Sequence, residues 1–313
     1  MLQLGVVRRP RICYNTVMNT VFDVSTLPDS FGAEQNIPLS DLTSFHVGGP
    51  AKCVFRPTSY EAIREIVQLA AETGTPLALL GKGTNILASD EGFDGWVIRF
   101  DKPMHEPIYQ GTTVIVCCGT SMTSLARETV RRGLMGMECL CGIPGTVGGA
   151  CAMNAGAYGG EIKQILKRIR ILKDGVDQWV AVADADLGYR RSAFTFPNAI
   201  ALEAEFELKE DDGTALPTML SCIEKRREKQ PLELPSAGST FKRPQGHFAG
   251  ALIEQCGLKG YSIGGAQVSE KHAGFIVNTG NATASDILKL ISHVQNVVSE
   301  QTGMTLELEI KRI

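Results

Sequence analysis

Residues 142–160 read Gly-Ile-Pro-Gly-Thr-Val-Gly-Gly-Ala-Cys-Ala-Met-Asn-Ala-Gly-Ala-Tyr-Gly-Gly, and seven of these residues are glycine. Glycine loses more conformational entropy on folding than any other residue, so this density indicates positions that need positive φ angles or close approach of the backbone to a ligand. Main-chain N–H groups exposed in such a loop form an anion-binding concavity. Because Val147, Met153 and Tyr158 would be out of place in a linker, we predict a long ligand-cradling loop without a regular helix or strand.

A second glycine turn lies upstream, at Gly81-Lys82-Gly83-Thr84-Asn85, directly after the apolar run 76–80. A strand, a glycine turn and a polar tip form the arrangement in which main-chain donors meet a phosphate. The turn lacks the Gly-x-Gly-x-x-Gly of a dinucleotide fingerprint and the Gly-Lys-Ser/Thr of a Walker loop. Two such loops in one chain favour a ligand that has a diphosphate and a flat ring system.

Composition narrows the class of protein. A chain of 313 residues is long for a single core, so two or three domains are expected. A net charge of −3 without a basic block argues against nucleic acid as a partner, and no apolar run is long enough to cross a bilayer. The nine cysteines include no Cys-x-x-Cys pair and the histidines are scattered, so we expect reduced thiols, no metal and a cytoplasmic protein.

Hydrophobic periodicity and capping signals predict the regular elements. Thr58-Ser-Tyr-Glu61 has the pattern of a capping box, with Thr58 as N-cap, for a helix that ends at Gly74. Asp174-Gly175 predicts a hairpin turn. The other predicted helices are 121–132, 216–229 and 283–302, and the predicted strands are 53–55, 76–80, 96–100, 113–118, 169–172, 179–182, a half-exposed strand at 201–208, and a final strand with Leu306, Leu308 and Ile310 on one face and Glu307 and Glu309 on the other.

Two further stretches combine residue types that are common in catalytic and ligand-binding sites. Gly238-Ser-Thr-Phe-Lys-Arg-Pro244 holds a hydroxyl, an aromatic ring and two cations, and Leu187-Gly-Tyr-Arg-Arg-Ser192 holds a phenol and two cations. By spacing alone, the first is a turn between elements, and Glu309 is an ordinary exposed carboxylate of a strand.

Taken in order, these stretches resemble the UDP-N-acetylenolpyruvoylglucosamine reductase family over residues 36–313. The run 229–238 and the compact third domain are similar to the shorter subtype of the family. The resemblance is carried by residues 43–51, 81–87, 89–95, 142–161, 189–190 with Ser192, 238–244, 257–278 and 306–309.

The resemblance implies an α+β fold. A two-subdomain FAD-binding domain of the vanillyl-alcohol-oxidase type would occupy residues 36–100 and 101–210, and an α+β substrate-binding domain would occupy residues 211–313. Residues 1–35 have no counterpart and form an unassigned N-terminal extension.

The resemblance also implies an activity, which is the NADPH-dependent, FAD-mediated reduction of UDP-N-acetylglucosamine enolpyruvate to UDP-N-acetylmuramate in peptidoglycan synthesis. By this resemblance Arg190 stabilises the enediolate that forms after hydride transfer, Glu309 helps to polarise it, and Ser239 supplies the proton.

The residues implied to bind FAD and substrate are carried over in the same way. The family more usually has glycine where this chain has Lys82, and serine where it has Thr84. The FAD set is Gly81, Lys82, Gly83, Thr84, Asn85, Ile143, Pro144, Gly145, Thr146, Gly148, Gly149 and Asn154; the substrate set is Tyr189, Lys229 and Arg243.

Two alternatives stay open at the level of sequence. One is another FAD-dependent oxidoreductase of the same fold that acts on a hydroxy acid or sugar, and the other is a non-catalytic UDP-sugar-binding protein. The motif 238–244 argues against the first, and the presence of Arg190, Ser239 and Glu309 argues against the second. We expect a monomer that uses small-molecule partners only.

Overall fold

The computed structural model describes residues 24–313, which form an α+β protein with two sheet-based units followed by a C-terminal unit. Most of the predicted N-terminal extension lies outside the described residues. Short 3₁₀ turns connect several of the elements, at Val24–Thr26, Asp29–Phe31, Leu39–Asp41, Glu138–Leu140, Ile162–Gln164 and Val182–Asp184.

The first unit carries the first glycine turn at the end of a strand. Its elements, in chain order, are β1 (Ala33–Pro38), β2 (Pro50–Phe55), α1 (Tyr60–Thr73), β3 (Leu77–Leu80), β4 (Ile86–Leu87) and β5 (Phe93–Arg99). The sheet has the order β1-β2-β5-β3, in which β5 is parallel to both of its neighbours and β1 is antiparallel to β2. The apolar face of α1, with Ile63 and Ile66, is buried in one core with Phe55 and Trp96.

The second unit carries the long glycine stretch. Its elements are β6 (Ile108–Gln110), β7 (Thr113–Cys117), α2 (Met122–Arg131), β8 (Leu134–Met135), α3 (Val147–Ala152), β9 (Gly156–Ala157), β10 (Gly160–Glu161), β11 (Leu166–Lys173), β12 (Val176–Ala181), β13 (Ile200–Glu207) and β14 (Lys209–Glu210). The main sheet is antiparallel with the order β12-β11-β13-β7-β6. The predicted hairpin is present, since β11 pairs with β12 and both Asp174 and Gly175 have positive φ angles of 51° and 76°.

The C-terminal unit is smaller and ends against the first unit. Its elements are α4 (Ala215–Lys229), α5 (Ala249–Gln255), β15 (Ser262–Ile263), β16 (Ala266–Val268), β17 (Ile276–Asn278), α6 (Ala284–Thr302) and β18 (Lys311–Arg312). The predicted helix at 283–302 is present as α6, with a capping box between Thr283 and Asp286, and Gly303 ends it in the left-handed region. β18 pairs in parallel with β4, directly after the first glycine turn.

The structure corrects several expectations about local structure, each for a physical reason. The N-cap of α1 is Ser59 rather than Thr58, because the Ser59 side chain accepts the Ala62 N–H at 3.1 Å. The stretch 142–160 contains the short helix α3, which the Thr146 side chain caps by accepting the Gly149 N–H at 3.2 Å, and it overlaps the short strands β9 and β10. Glu205, one of the charged residues that alternate along the predicted half-exposed strand 201–208, is only 4% exposed.

The cause of the Glu205 burial is a pair of cations that lie over it. Arg168 Nε is 2.7 Å from one carboxylate oxygen and Lys167 Nζ is 3.3 Å from the other. The aliphatic parts of such side chains cover a carboxylate while their charges pair with it. Alternation of apolar and charged residues therefore identified the strand but not the burial of this position.

The predicted final strand is replaced by an extended segment. Only β18 is regular, and before it Leu308 forms an isolated bridge with Phe241. Leu306 and Ile310 are buried and Glu307 is exposed, in agreement with the predicted alternation, but only 12% of the Glu309 side chain is exposed.

The proposed domain bounds at residues 100 and 210 remain a prediction. One observation bears on them: the buried face of α4, with Ala215 and Met219, belongs to the same core as the two sheet-based units. The separate C-terminal core is formed around α6 and also takes in Phe45 and Leu87 from the first unit.

Candidate active site

A cavity of about 670 Å³ lies where the three units meet. Both glycine turns line it, and so do Arg190, Ser239 and Glu309. These residues come from distant parts of the chain, so the tertiary fold assembles the site. Its size is in the range of pockets that hold cofactors and drug-sized molecules.

The first glycine turn presents unused main-chain donors to the cavity. Within residues 24–313, none of the N–H groups of residues 81–85 donates a hydrogen bond. Gly83 has a φ of +67°, and a Cβ there would lie 2.0 Å from the Leu42 carbonyl oxygen, so glycine is required. Such consecutive free amides form a site for an anion.

The second glycine turn is joined to the first. The Thr84 hydroxyl donates to the Pro144 carbonyl at 3.0 Å, and a Cβ on Gly81 would lie 2.5 Å from Thr146 Oγ1. The N–H groups of Gly145 and Thr146 also donate no hydrogen bond to the described part of the chain. The two turns therefore form one wall that is rich in donors.

Asn85 connects this wall to the C-terminal segment. Its side chain donates to the Glu309 carbonyl at 3.2 Å, and its own carbonyl accepts from the Lys311 N–H at 2.9 Å. Together with the pairing of β18 and β4, these bonds place the Glu309 side chain in the cavity. Asn85 therefore has a structural contact that its sequence motif did not predict.

Arg190 is held in an unusual backbone conformation beside Glu309. Its φ is +54°, which is a left-handed angle that a non-glycine residue adopts at a cost and that is common at functional sites. Arg190 Nε lies 2.7 Å from Glu309 Oε1, and the two side chains are 21% and 12% exposed. The Nε–H has no hydrogen-bond partner in the described chain, so the contact is an ion pair without an aligned hydrogen bond, and this buried donor remains unsatisfied.

Burial raises the pKa of Glu309 above its ordinary value of 4.5, and the Arg190 guanidinium opposes that shift. A carboxylate that is ionised in such a place needs a cation close by, and Arg190 is that cation. Glu309 consequently takes up a proton at a higher pH than an exposed glutamate does.

Ser239 lies in the motif 238–244 and forms an isolated antiparallel bridge with Phe275. The neighbouring Thr240 is fully buried, and its hydroxyl accepts the Ile276 N–H at 3.2 Å, which fixes the local backbone. The Ser239 hydroxyl makes no hydrogen bond to a protein group in residues 24–313, so it is available to a bound ligand.

Four residues of the predicted sets do not line the cavity. Asn154 is buried, and its side chain donates to Glu161 at 3.2 Å and to the Gly188 carbonyl at 3.1 Å, so it supports the loop before Arg190. Its direct contact with FAD stays a prediction. The other three are exposed: Tyr189, whose hydroxyl accepts the Arg243 N–H at 3.0 Å; Arg243; and Lys229 at the end of α4.

Sequence reasoning missed Arg226 and Gln230, which line the cavity from the end of α4. Arg226 forms no ion pair with any described carboxylate, lies against Gly142, and has its pKa lowered by burial. The buried Oε1 of Gln230 has no hydrogen-bond partner. By its sequence alone, the charged run at 224–229 indicates a solvated helix face; only the four-residue spacing of 226 and 230 indicates otherwise.

Within residues 24–313, no cluster of three or more histidine, cysteine or acidic side chains is arranged to hold a metal, and all eight cysteines are free thiols. No helix in that range is both long and apolar enough to span a membrane.

Comparison with known proteins gives concordant matches. The model of an FAD binding domain matches residues 51–175, and the model of the UDP-N-acetylenolpyruvoylglucosamine reductase C-terminal domain matches residues 230–313. UDP-N-acetylenolpyruvoylglucosamine reductase from Clostridium botulinum is 46% identical over 278 residues, which cover 88% of this chain and 90% of that protein. The protein of the same name from Clostridium perfringens is 40% identical over 302 residues, which cover 95% and 99%.

A solved structure agrees with these sequence matches. The crystal structure of UDP-N-acetylenolpyruvylglucosamine reductase from Thermus caldophilus matches with a TM-score of 0.76 at 35% identity, covering 89% of this chain and 98% of that chain. The similarity thus extends over both the sheet-based units and the C-terminal unit.

Proposed function

This chain belongs to the UDP-N-acetylenolpyruvoylglucosamine reductase family, and from that premise we propose that it reduces UDP-N-acetylglucosamine enolpyruvate to UDP-N-acetylmuramate with electrons from NADPH. One observation carries the proposal: the Arg190–Glu309 ion pair and Ser239 line the same cavity as the two glycine turns. The rival oxidoreductase acting on a hydroxy acid or sugar has no comparable support.

The residues present fit FAD. The unused amides of residues 81–85, Gly145 and Thr146 match what a diphosphate needs, and the wall between them contains no carboxylate side chain. When bound, FAD accepts hydride from NADPH and supplies it to the enolpyruvyl double bond. Hydride addition leaves two electrons to be accommodated on the carbon next to the substrate carboxylate.

Arg190 would stabilise the enediolate that forms there. Its charge is already in place and its backbone is fixed, so little reorganisation is needed when negative charge develops. Glu309 would hold the guanidinium in one orientation, which limits the rotamers of a long side chain.

Ser239 would donate the proton that completes the reduction. An isolated serine is a very weak acid, so the proton must be replaced through water or a charged neighbour. The hydroxyl has no competing protein partner in the described chain, which leaves its proton free for transfer.

We further propose that the enzyme acts as a monomer in the cytoplasm, where NADPH and UDP-sugars occur. The exposed edge of the site carries Tyr189, Lys229 and Arg243, which would contact the substrate once it occupies the cavity. The exchange between NADPH and substrate at one cavity requires such an open edge.

The test begins with the absorption spectrum of the purified protein, which should show one bound flavin per chain. NADPH oxidation is then followed with and without UDP-N-acetylglucosamine enolpyruvate, and the product is identified by mass spectrometry. Enolpyruvyl-dependent NADPH consumption with formation of UDP-N-acetylmuramate supports the proposal. A colourless protein, or flavin that oxidises a hydroxy acid instead, contradicts it.

A further inference from the structure

Lys82 places a cation in the middle of the first glycine turn. Its Nζ lies 2.8 Å from Ser121 Oγ, it lines the cavity, and it is not within ion-pairing distance of any carboxylate in residues 24–313. A half-buried ammonium without a counter-ion is costly, so this arrangement is complete only with an anion.

Ser121 holds that cation at the junction of the two glycine turns. It occupies the N-cap position of α2, but its side chain makes no capping hydrogen bond to the helix. The backbone of Ser121 also forms an antiparallel bridge with Thr146 of the second turn. In this bridge the Val147 N–H donates to the Thr120 carbonyl at 2.9 Å, and the Met122 N–H donates to the Gly145 carbonyl at 3.1 Å. The Ser121 hydroxyl therefore accepts a hydrogen bond from Lys82, and hydrogen bonds to the second turn fix the Ser121 backbone.

The unused amides identify the anion as a diphosphate. They belong to the same turn as Lys82 and to Gly145 and Thr146 beside Ser121, so donors and charge converge on one place. Two sources of diphosphate fit this chemistry, FAD and the UDP-sugar. The match of an FAD binding domain to residues 51–175 covers Lys82, Ser121 and Thr146, which favours FAD.

We propose that Lys82, positioned by Ser121, forms a direct ion pair with the diphosphate of FAD and so makes cofactor retention dependent on ionic strength. This inference rests on the proposed function. Ser121 is a positioning residue, since it acts through Lys82.

The experiment measures binding of FAD to the apoprotein by quenching of flavin fluorescence, at several salt concentrations. Loss of one charge-assisted contact should weaken FAD binding about tenfold in Lys82→Gln at low salt, and should flatten the salt dependence. Lys82→Arg should restore most of the affinity. Lys52→Gln is the matched control, because Lys52 lies in the same unit but in an exposed pair with Asp94 at 3.5 Å.

Two further measurements separate the possible roles. Ser121→Ala should weaken FAD binding about threefold, because Lys82 is then no longer ordered beforehand and loses its rotamer freedom when FAD binds. In the Lys82→Gln background, Ser121→Ala should have no added effect. Riboflavin, which lacks the diphosphate, should bind equally well to wild type and Lys82→Gln. Melting temperatures of the apoproteins show whether each variant is folded.

The inference is overturned if a folded Lys82→Gln variant keeps the FAD affinity and salt dependence of the wild type. It is also overturned if this variant loses affinity for UDP while its affinity for FAD is unchanged. These outcomes leave the proposed function intact if the wild type still binds flavin and reduces the enolpyruvyl substrate. A wild-type protein that binds no FAD would refute both.

Discussion

The contact between Arg190 and Glu309 allows a quantitative test of whether the two residues act as one unit. At 2.7 Å, two unit charges attract with about 6 kcal/mol at an effective dielectric constant of about 20. Removal of both groups from water offsets most of this, because the side chains are only 21% and 12% exposed. We expect a net coupling of about 2 kcal/mol for this buried charged pair, which corresponds to about thirtyfold in rate.

The perturbation is a double-mutant cycle with Arg190→Ala, Glu309→Ala and the double variant. Loss of the fixed cation should slow the reaction about a thousandfold, as loss of a transition-state donor does elsewhere. Glu309→Ala should slow it about thirtyfold, because the guanidinium loses its orientation. The double variant should be little worse than Arg190→Ala, since Glu309 has nothing left to orient. Arg190→Lys keeps the charge without the planar fork and should stay impaired.

The assay is stopped-flow reoxidation of NADPH-reduced flavin by the enolpyruvyl substrate, with flavin content and melting temperature measured for each variant. Multiplicative losses, about 30,000-fold in the double variant, would show that the two residues act independently. A near-normal Glu309→Ala would refute the role of Glu309 altogether.

Four other predictions follow from the same site. Ser239→Ala should be reduced by NADPH at a near-normal rate but reoxidised by substrate about 100- to 10,000-fold more slowly, and equal slowing of both half-reactions would indicate a structural role. Gly145→Val should purify folded but colourless, because the φ of +141° and the space beside the turn do not tolerate a branched side chain; full flavin occupancy would contradict this. Arg226→Met should raise the melting temperature of the apoprotein by about 2 °C, because a half-buried charge without an ion-pair partner in the described chain is removed, while weakening ligand binding measured by titration; an unchanged affinity would refute a ligand role. Reoxidation should slow as the pH falls toward 4.5, because the raised pKa of Glu309 makes this carboxylate take up a proton above that pH and release Arg190, and the pH profile of Glu309→Gln should lack this step.

The predictions that were confirmed concern the family, the α+β fold with an FAD-binding domain, the enzyme class and the cofactors. The catalytic and binding roles of individual residues stay predictions, although the structure brings Arg190, Ser239 and Glu309 to one cavity. Helix ends also follow from local sequence: a glycine after a periodic apolar segment indicates the end of a helix. Gly74 and Gly303 end their helices in this way, in the left-handed region.

Features whose physical cause lies within a few residues could be predicted from the amino-acid sequence. Glycine turns, caps and hairpins depend on backbone conformations that are accessible to particular residue types, so the positions 81–85 and 174–175 were readable directly. The tertiary structure alone decided which polar side chains meet. Lys229 and Arg226 lie on the same charged run, yet only Arg226 faces the cavity, because the packing of α4 on the core sets the rotation of the helix. Glu309 reaches Arg190 because β18 pairs with β4, and hydrogen bonding between segments so distant in sequence leaves no local pattern in either one.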